Sequence, residues 1–143
     1  MRLIAIRHGE TEWNTQDREM GQLDSPLTSR GVRQAHAIAH RLSRVPFGAL
    51  YSSDLGRAVA TAGVIGERCG KQVRIAPGLR ERHMGIFQGL TVAEMRERFP
   101  RERQDYERVG FEYSNGRWSL EVWNDIGHLD GVETLDDPTI QTT

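Results

Sequence analysis

Near the start of the chain three residues with chemical potential stand in a row, Arg7, His8 and Gly9, directly after the apolar run Leu3-Ile4-Ala5-Ile6. A guanidinium presents a planar fork of donors matched to phosphate oxygens. A neutral imidazole can attack phosphorus in line to form a phosphohistidine, and a glycine lets a ligand come close to the backbone. A second arginine, Arg57, ends the stretch Ser52-Ser53-Asp54-Leu55-Gly56-Arg57. Two converging forks would neutralise charge on the equatorial oxygens while the histidine attacks. The leaving oxygen then needs a proton, and Glu81, in Leu79-Arg80-Glu81-Arg82-His83-Met84-Gly85, is the carboxyl group to supply it and afterwards to activate water. Arginine alone is weak evidence here, because the 19 basic residues include a single lysine, Lys71. What distinguishes Arg7 and Arg57 is where they fall.

Their positions follow from the elements that must carry them. Leu3 to Ile6 reads as a short buried strand, since four consecutive apolar residues suit a sheet covered on both faces. After the polar stretch ending Asp24-Ser25-Pro26-Leu27, Thr28 or Ser29 caps a helix with Val32, Ala35, Ala39 and Leu42 as its apolar stripe, closed by Pro46. Gly48 to Tyr51 gives a second strand. Ser52-Ser53-Asp54 caps a second helix, with Leu55, Ala58, Ala62, Ile65 and Cys69 on one side and Gly70 as its stop. Val73 to Ala76 is a third strand, and Thr91-Val92-Ala93-Glu94 is a capping-box pattern opening a helix interrupted near Pro100. Strands alternating with helices predict a layered α/β domain with a mainly parallel sheet. In such a fold reactive groups gather at the carboxyl ends of the strands, which is where Arg7-His8-Gly9, Arg57 and Glu81 fall.

Composition narrows the function classes. At 143 residues, one domain spanning 1–143 is expected. A formal net charge of -1 gives no basic field for nucleic acid. The single Cys69 permits no internal disulfide, and no apolar run is long enough for a signal peptide or membrane span, so a soluble cytoplasmic protein without membrane partners is expected. His36 and His40 lie four apart, a metal-binding spacing, but no third ligand accompanies them and a helix-surface pair is the expectation. The Arg96 to Arg108 run also holds Glu97, Glu102, Asp105 and Glu107, as a salt-bridged solvent face would.

Four blocks in order resemble the histidine phosphatase superfamily, also called the phosphoglycerate mutase-like family. They are Arg7-His8-Gly9-Glu10-Thr11 with Trp13-Asn14; Pro26-Leu27-Thr28 with Gly31; Ser52-Ser53-Asp54-Leu55 with Arg57-Ala58 and Thr61-Ala62; and Glu81 with Gly85 and Gly89-Leu90-Thr91. The match is good from Arg2 to about Pro100. The resemblance implies a three-layer α/β/α sandwich with His8 as phosphorylated nucleophile, Arg7 and Arg57 binding phosphate, and Glu81 as proton donor. Thr11, Asn14 and Gly21 would help line the pocket of a small phosphorylated metabolite, and no metal or organic cofactor is implied.

Beyond Tyr113 the family pattern fades. The family uses a second histidine in a turn after a late strand, downstream of a Gly-Glu-Ser segment. Gly131-Val132-Glu133-Thr134 resembles that segment weakly, and His128 precedes it without the following glycine. The C-terminal part, 112–143, therefore reads as divergent or truncated, with a late strand missing. An uncovered sheet edge would favour a homodimer. Glycolytic mutases carry tyrosine and lysine where this chain has Met84 and Val92, which favours a phosphatase. A mutase, or a catalytically weak phosphate-binding module, stays open.

Overall fold

The computed structural model describes residues 3–103 of the chain. Two compact units divide the sequence between Val92 and Ala93, and the elements that bear on the site lie in the first.

That unit is organised around a strand–helix–strand repeat. Strand β1 (Leu50–Ser52) leads into helix α2 (Gly56–Cys69), which returns the chain to strand β2 (Val73–Ile75). The strands pair in parallel with Leu50 opposite Val73, Tyr51 opposite Arg74 and Ser52 opposite Ile75. Parallel pairing requires such a crossover, because the chain must return to the same end of the sheet. Helix α1 (Ser29–Leu42) packs against α2. Ala39 and Leu42 of α1 meet Ile65 of α2 in a buried cluster, extended by Ile38, Phe47, Leu50, Val64 and Cys69. The expected α/β character with parallel strands is thus present.

Local chemistry explains the helix limits. Thr28 holds an extended backbone and accepts the Gly31 N–H on its hydroxyl at 2.9 Å, capping α1 as expected. Gly70 ends α2 at φ +62, a left-handed conformation that glycine adopts without steric cost. Of the α1 stripe, Ala35, Ala39 and Leu42 are buried, whereas Val32 is 40% exposed.

Three expectations need correction. Leu3 to Ile6 does not form a buried strand: it joins no ladder among the described residues, and Leu3, Ile4 and Ile6 are exposed. Among the described residues the sheet has two strands, β1 and β2, and an apolar run becomes a strand only where a neighbour supplies backbone partners. Strand β1 begins later than predicted and extends to Ser52. The Ser52-Ser53-Asp54 cap also fails. Leu55 occupies the cap position and contributes no side-chain bond, and the first N–H groups of α2 are satisfied instead by Asp24 from another segment.

Helix α3 (Val92–Arg98) follows the capping-box sequence, and helical backbone resumes at 100–103. None of the helices among the described residues is long and apolar enough to cross a membrane. The readings placed on Gly131-Val132-Glu133-Thr134, His128 and the late strand lie outside the described residues.

Candidate active site

The site is built on the loop that follows Ile6, on the start of α2, and on the loops at 21–24 and 77–91. Gly9 shows why the first loop can sit where it does. A Cβ on Gly9 would overlap the Gly31 carbonyl, and one on Gly31 would overlap the backbone of Glu10, so the loop lies directly on the first turn of α1. Glu10 secures that contact: its Oε1 accepts the Thr28 hydroxyl at 2.6 Å, its Oε2 pairs with Arg30 at 3.2 Å, and its N–H donates to Gln34 at 2.8 Å. The other side is held by Thr61 of α2. Its hydroxyl accepts the Gly9 N–H at 3.1 Å and donates to the Arg57 carbonyl at 2.9 Å, joining the histidine loop to the helix that carries Arg57.

His8 is half-buried, with Nδ1 at 2.7 Å from the Gly9 carbonyl oxygen. A carbonyl only accepts, so Nδ1 carries the proton and Nε2 keeps its lone pair. Burial lowers the histidine pKa from 6.5 to about 4; the Gly9 bond opposes this, Arg57 and Arg7 reinforce it, and Glu81 opposes it weakly. At neutral pH the ring is therefore an uncharged base with a free Nε2. The structure brings Arg57, Arg7 and Glu81 within electrostatic reach of His8.

Arg57 is almost fully buried. Its Nη1 donates to the Leu23 carbonyl at 2.7 Å and to Asp24 Oδ1 at 3.3 Å, and its Nη2 to the Gly21 carbonyl at 2.8 Å. Arg57 Nε and Arg7 Nη1 are buried without an acceptor among the described residues. Leaving a charged donor dry and unpaired is costly, so two such atoms beside a neutral histidine mark a place for an anion with several acceptor oxygens.

The remaining predicted residues sit differently. Glu81 is exposed; its carboxylate accepts the Arg82 N–H at 3.0 Å, and its carbonyl accepts Gln22 Nε2 at 3.1 Å. Thr11 is fully buried, its hydroxyl 2.9 Å from Asn14 Oδ1 and 3.3 Å from Met20 Sδ, so its polar atoms are engaged within the protein. Asn14 accepts both Thr11 donors through Oδ1, which leaves its amide N–H groups for another partner. Gly21, at φ +53, contributes its carbonyl to Arg57, and a side chain there would meet Gln88 and Met84. Across the loops, Gly89 N–H donates to Glu19 at 2.8 Å and Glu19 N–H to Leu90 at 2.9 Å, tying the 17–21 segment to the segment after Glu81.

His36 and His40 are exposed on α1. The ring nitrogens of His40 face Arg44 at 2.9 Å and Arg68 at 3.3 Å, a setting hostile to a metal cation. Sequence reasoning missed Asp24 and the bonding role of Thr61. Asp24-Ser25-Pro26 is a local capping signal, but its acceptor serves a helix 32 residues away.

Comparison with known proteins agrees with this geometry. The model of the histidine phosphatase superfamily (branch 1) matches residues 3–126. A protein of Serratia proteamaculans named "Probable phosphoglycerate mutase GpmB" is 42% identical over 104 residues, covering 73% of this chain and 47% of that protein. A mycobacterial glucosyl-3-phosphoglycerate phosphatase solved in complex with VO3 superposes with a TM-score of 0.67 at 41% identity, covering 72% of this chain and 49% of the other. Bacillus stearothermophilus YhfR gives a TM-score of 0.68 at 35% identity, covering 78% and 55%. The chain spans about half the length of the relatives it matches. An unprotonated histidine nitrogen beside two arginines whose buried donors lack an acceptor among the described residues, on a phosphoglycerate mutase-like α/β fold, accords with the match, and the chain belongs to the histidine phosphatase superfamily (branch 1).

Proposed function

We propose that this chain acts as a phosphomonoester hydrolase on a small phosphorylated metabolite, through a phosphohistidine at His8. The observation that carries the reading is the pairing of a neutral His8, its Nε2 unprotonated, with the buried donors Arg7 Nη1 and Arg57 Nε, which have no acceptor among the described residues.

His8 Nε2 attacks phosphorus and the bond to the leaving oxygen breaks, with Arg7 and Arg57 stabilising negative charge on the equatorial oxygens. Glu81, carried by the loop after β2, gives its proton to the leaving alcohol. It then takes a proton from the water that attacks the phosphohistidine, which releases inorganic phosphate and restores both groups. Asn14 donates to the phosphoryl or substrate oxygens through its free amide. Thr11 and Gly21 shape the pocket through Asn14 and Arg57 rather than through polar side-chain contact with the ligand. These steps need no metal or organic cofactor.

A mutase reading draws support from the name of the Serratia relative. Hydrolysis of p-nitrophenyl phosphate by wild type and His8→Ala, and conversion of 3-phosphoglycerate primed by a bisphosphate, separate the two. Turnover of the ester that depends on His8 is expected; equal rates in wild type and variant would overturn the reading, and primed conversion without net hydrolysis would replace it with the mutase.

A further inference from the structure

Asp24 bonds to both ends of a single residue. Its Oδ1 accepts the Arg57 backbone N–H at 3.2 Å and the Arg57 Nη1 at 3.3 Å, and its other oxygen accepts the Gly56 N–H. We infer that Asp24 is a positioning residue for the phosphoryl site, fixing Arg57 through backbone and guanidinium together so that Nε is presented to the incoming phosphate.

The inference rests on the phosphoryl-site reading above, and the geometry supplies the rest. An ordinary cap at the start of α2 would satisfy the first N–H groups without touching a guanidinium, yet Leu55 provides none. Capping from the 21–24 segment instead brings three acceptors to Arg57 at once: the Gly21 carbonyl, the Leu23 carbonyl and the Asp24 carboxylate. They consume donors on Nη1 and Nη2 and leave Nε without a partner among the described residues. A guanidinium is planar, so fixing its two terminal nitrogens fixes the direction of Nε–H. Partial burial pushes the Asp24 pKa up, but the N–H groups of Arg57, Ser25 and Gly56 and the Arg57 charge outweigh it and hold the carboxyl below its ordinary value, so it is anionic at neutral pH. The Asp24 side chain is 40% exposed, so bond geometry rather than unscreened charge is the larger contribution.

The test is a double-mutant cycle on the full 143-residue chain, read as the dissociation constant of inorganic phosphate by calorimetry, with thermal unfolding of every variant alongside. Asp24→Ala is expected to weaken phosphate binding about 10- to 100-fold, the range for a misplaced binding group. In the Arg57→Ala background the same substitution should change affinity by less than about twofold, because there is no guanidinium left to aim. Asp24→Asn keeps one acceptor oxygen and should fall between; it replaces alanine in the cycle if Asp24→Ala does not fold. Equal losses in both backgrounds, or no loss in the wild-type background, overturn the inference, as does a wild-type chain that binds no phosphate. Absence of turnover with the phosphate cycle intact removes the hydrolase reading and leaves this one standing.

Discussion

His8 is kept neutral by burial first and by its two arginine neighbours second, and that has consequences for pH. Its folded pKa of about 4 lies below the unfolded value of 6.5, so between those values the unfolded chain binds the proton more readily. Stability therefore falls as pH drops through that window. Urea unfolding of wild type and His8→Gln at pH 7 and pH 4 should show an excess loss of about 3 kcal/mol in wild type. The rate should likewise show no inflection near pH 6.5 from this group, its acid limb lying near 4. Thr61 gives a second prediction at this scale: Thr61→Val removes the acceptor for the buried Gly9 N–H and should cost about 1–3 kcal/mol in stability, with a fall in ester hydrolysis as the His8 loop shifts. Residue type and motif order point to His8, Arg7 and Arg57, although the strand expected to carry the first two does not form among the described residues, whereas Asp24 and the bonding role of Thr61 are hidden from the sequence because their partners lie 33 and 52 residues away.

At the scale of elements, two of the local helix-end signals are readable, while the Ser52-Ser53-Asp54 cap is not, because Asp24 from another segment takes its place. Thr28 and Gly70 act within a few residues of themselves, and both behave as their chemistry dictates. Thr28→Ala should lower stability by about 1 kcal/mol in urea titration for the lost cap, and by more in total because the hydroxyl that donates to Glu10 goes with it. Gly9→Ala is the severer change. Its methyl group has no room against the Gly31 backbone, so the His8 loop must move off α1, and His8-dependent turnover should drop at least 100-fold while Gly48→Ala, facing open space, leaves it unchanged. The run Leu3 to Ile6 departs from its pattern for a physical reason: hydrophobicity reports a tendency to be covered, while a strand also needs a neighbour for its N–H and C=O groups.

At the scale of the molecule, Leu3, Tyr51, Ile75, Leu79 and Ile86 are at least 50% exposed among the described residues. We propose that apolar surface of this kind is covered by a second copy of the chain in a homodimer. Sedimentation velocity should show a concentration-dependent dimer that Leu3→Asp with Leu79→Asp weakens; a monomer at all concentrations would contradict it. The central claim concerns one covalent bond, and it has a direct test. Wild-type chain mixed with p-nitrophenyl phosphate, quenched in alkali and analysed by mass spectrometry should carry one phosphoryl group on the tryptic peptide from His8 to Arg18, absent in His8→Ala. Turnover without any label on that peptide, or label that persists in His8→Ala, would contradict the phosphohistidine.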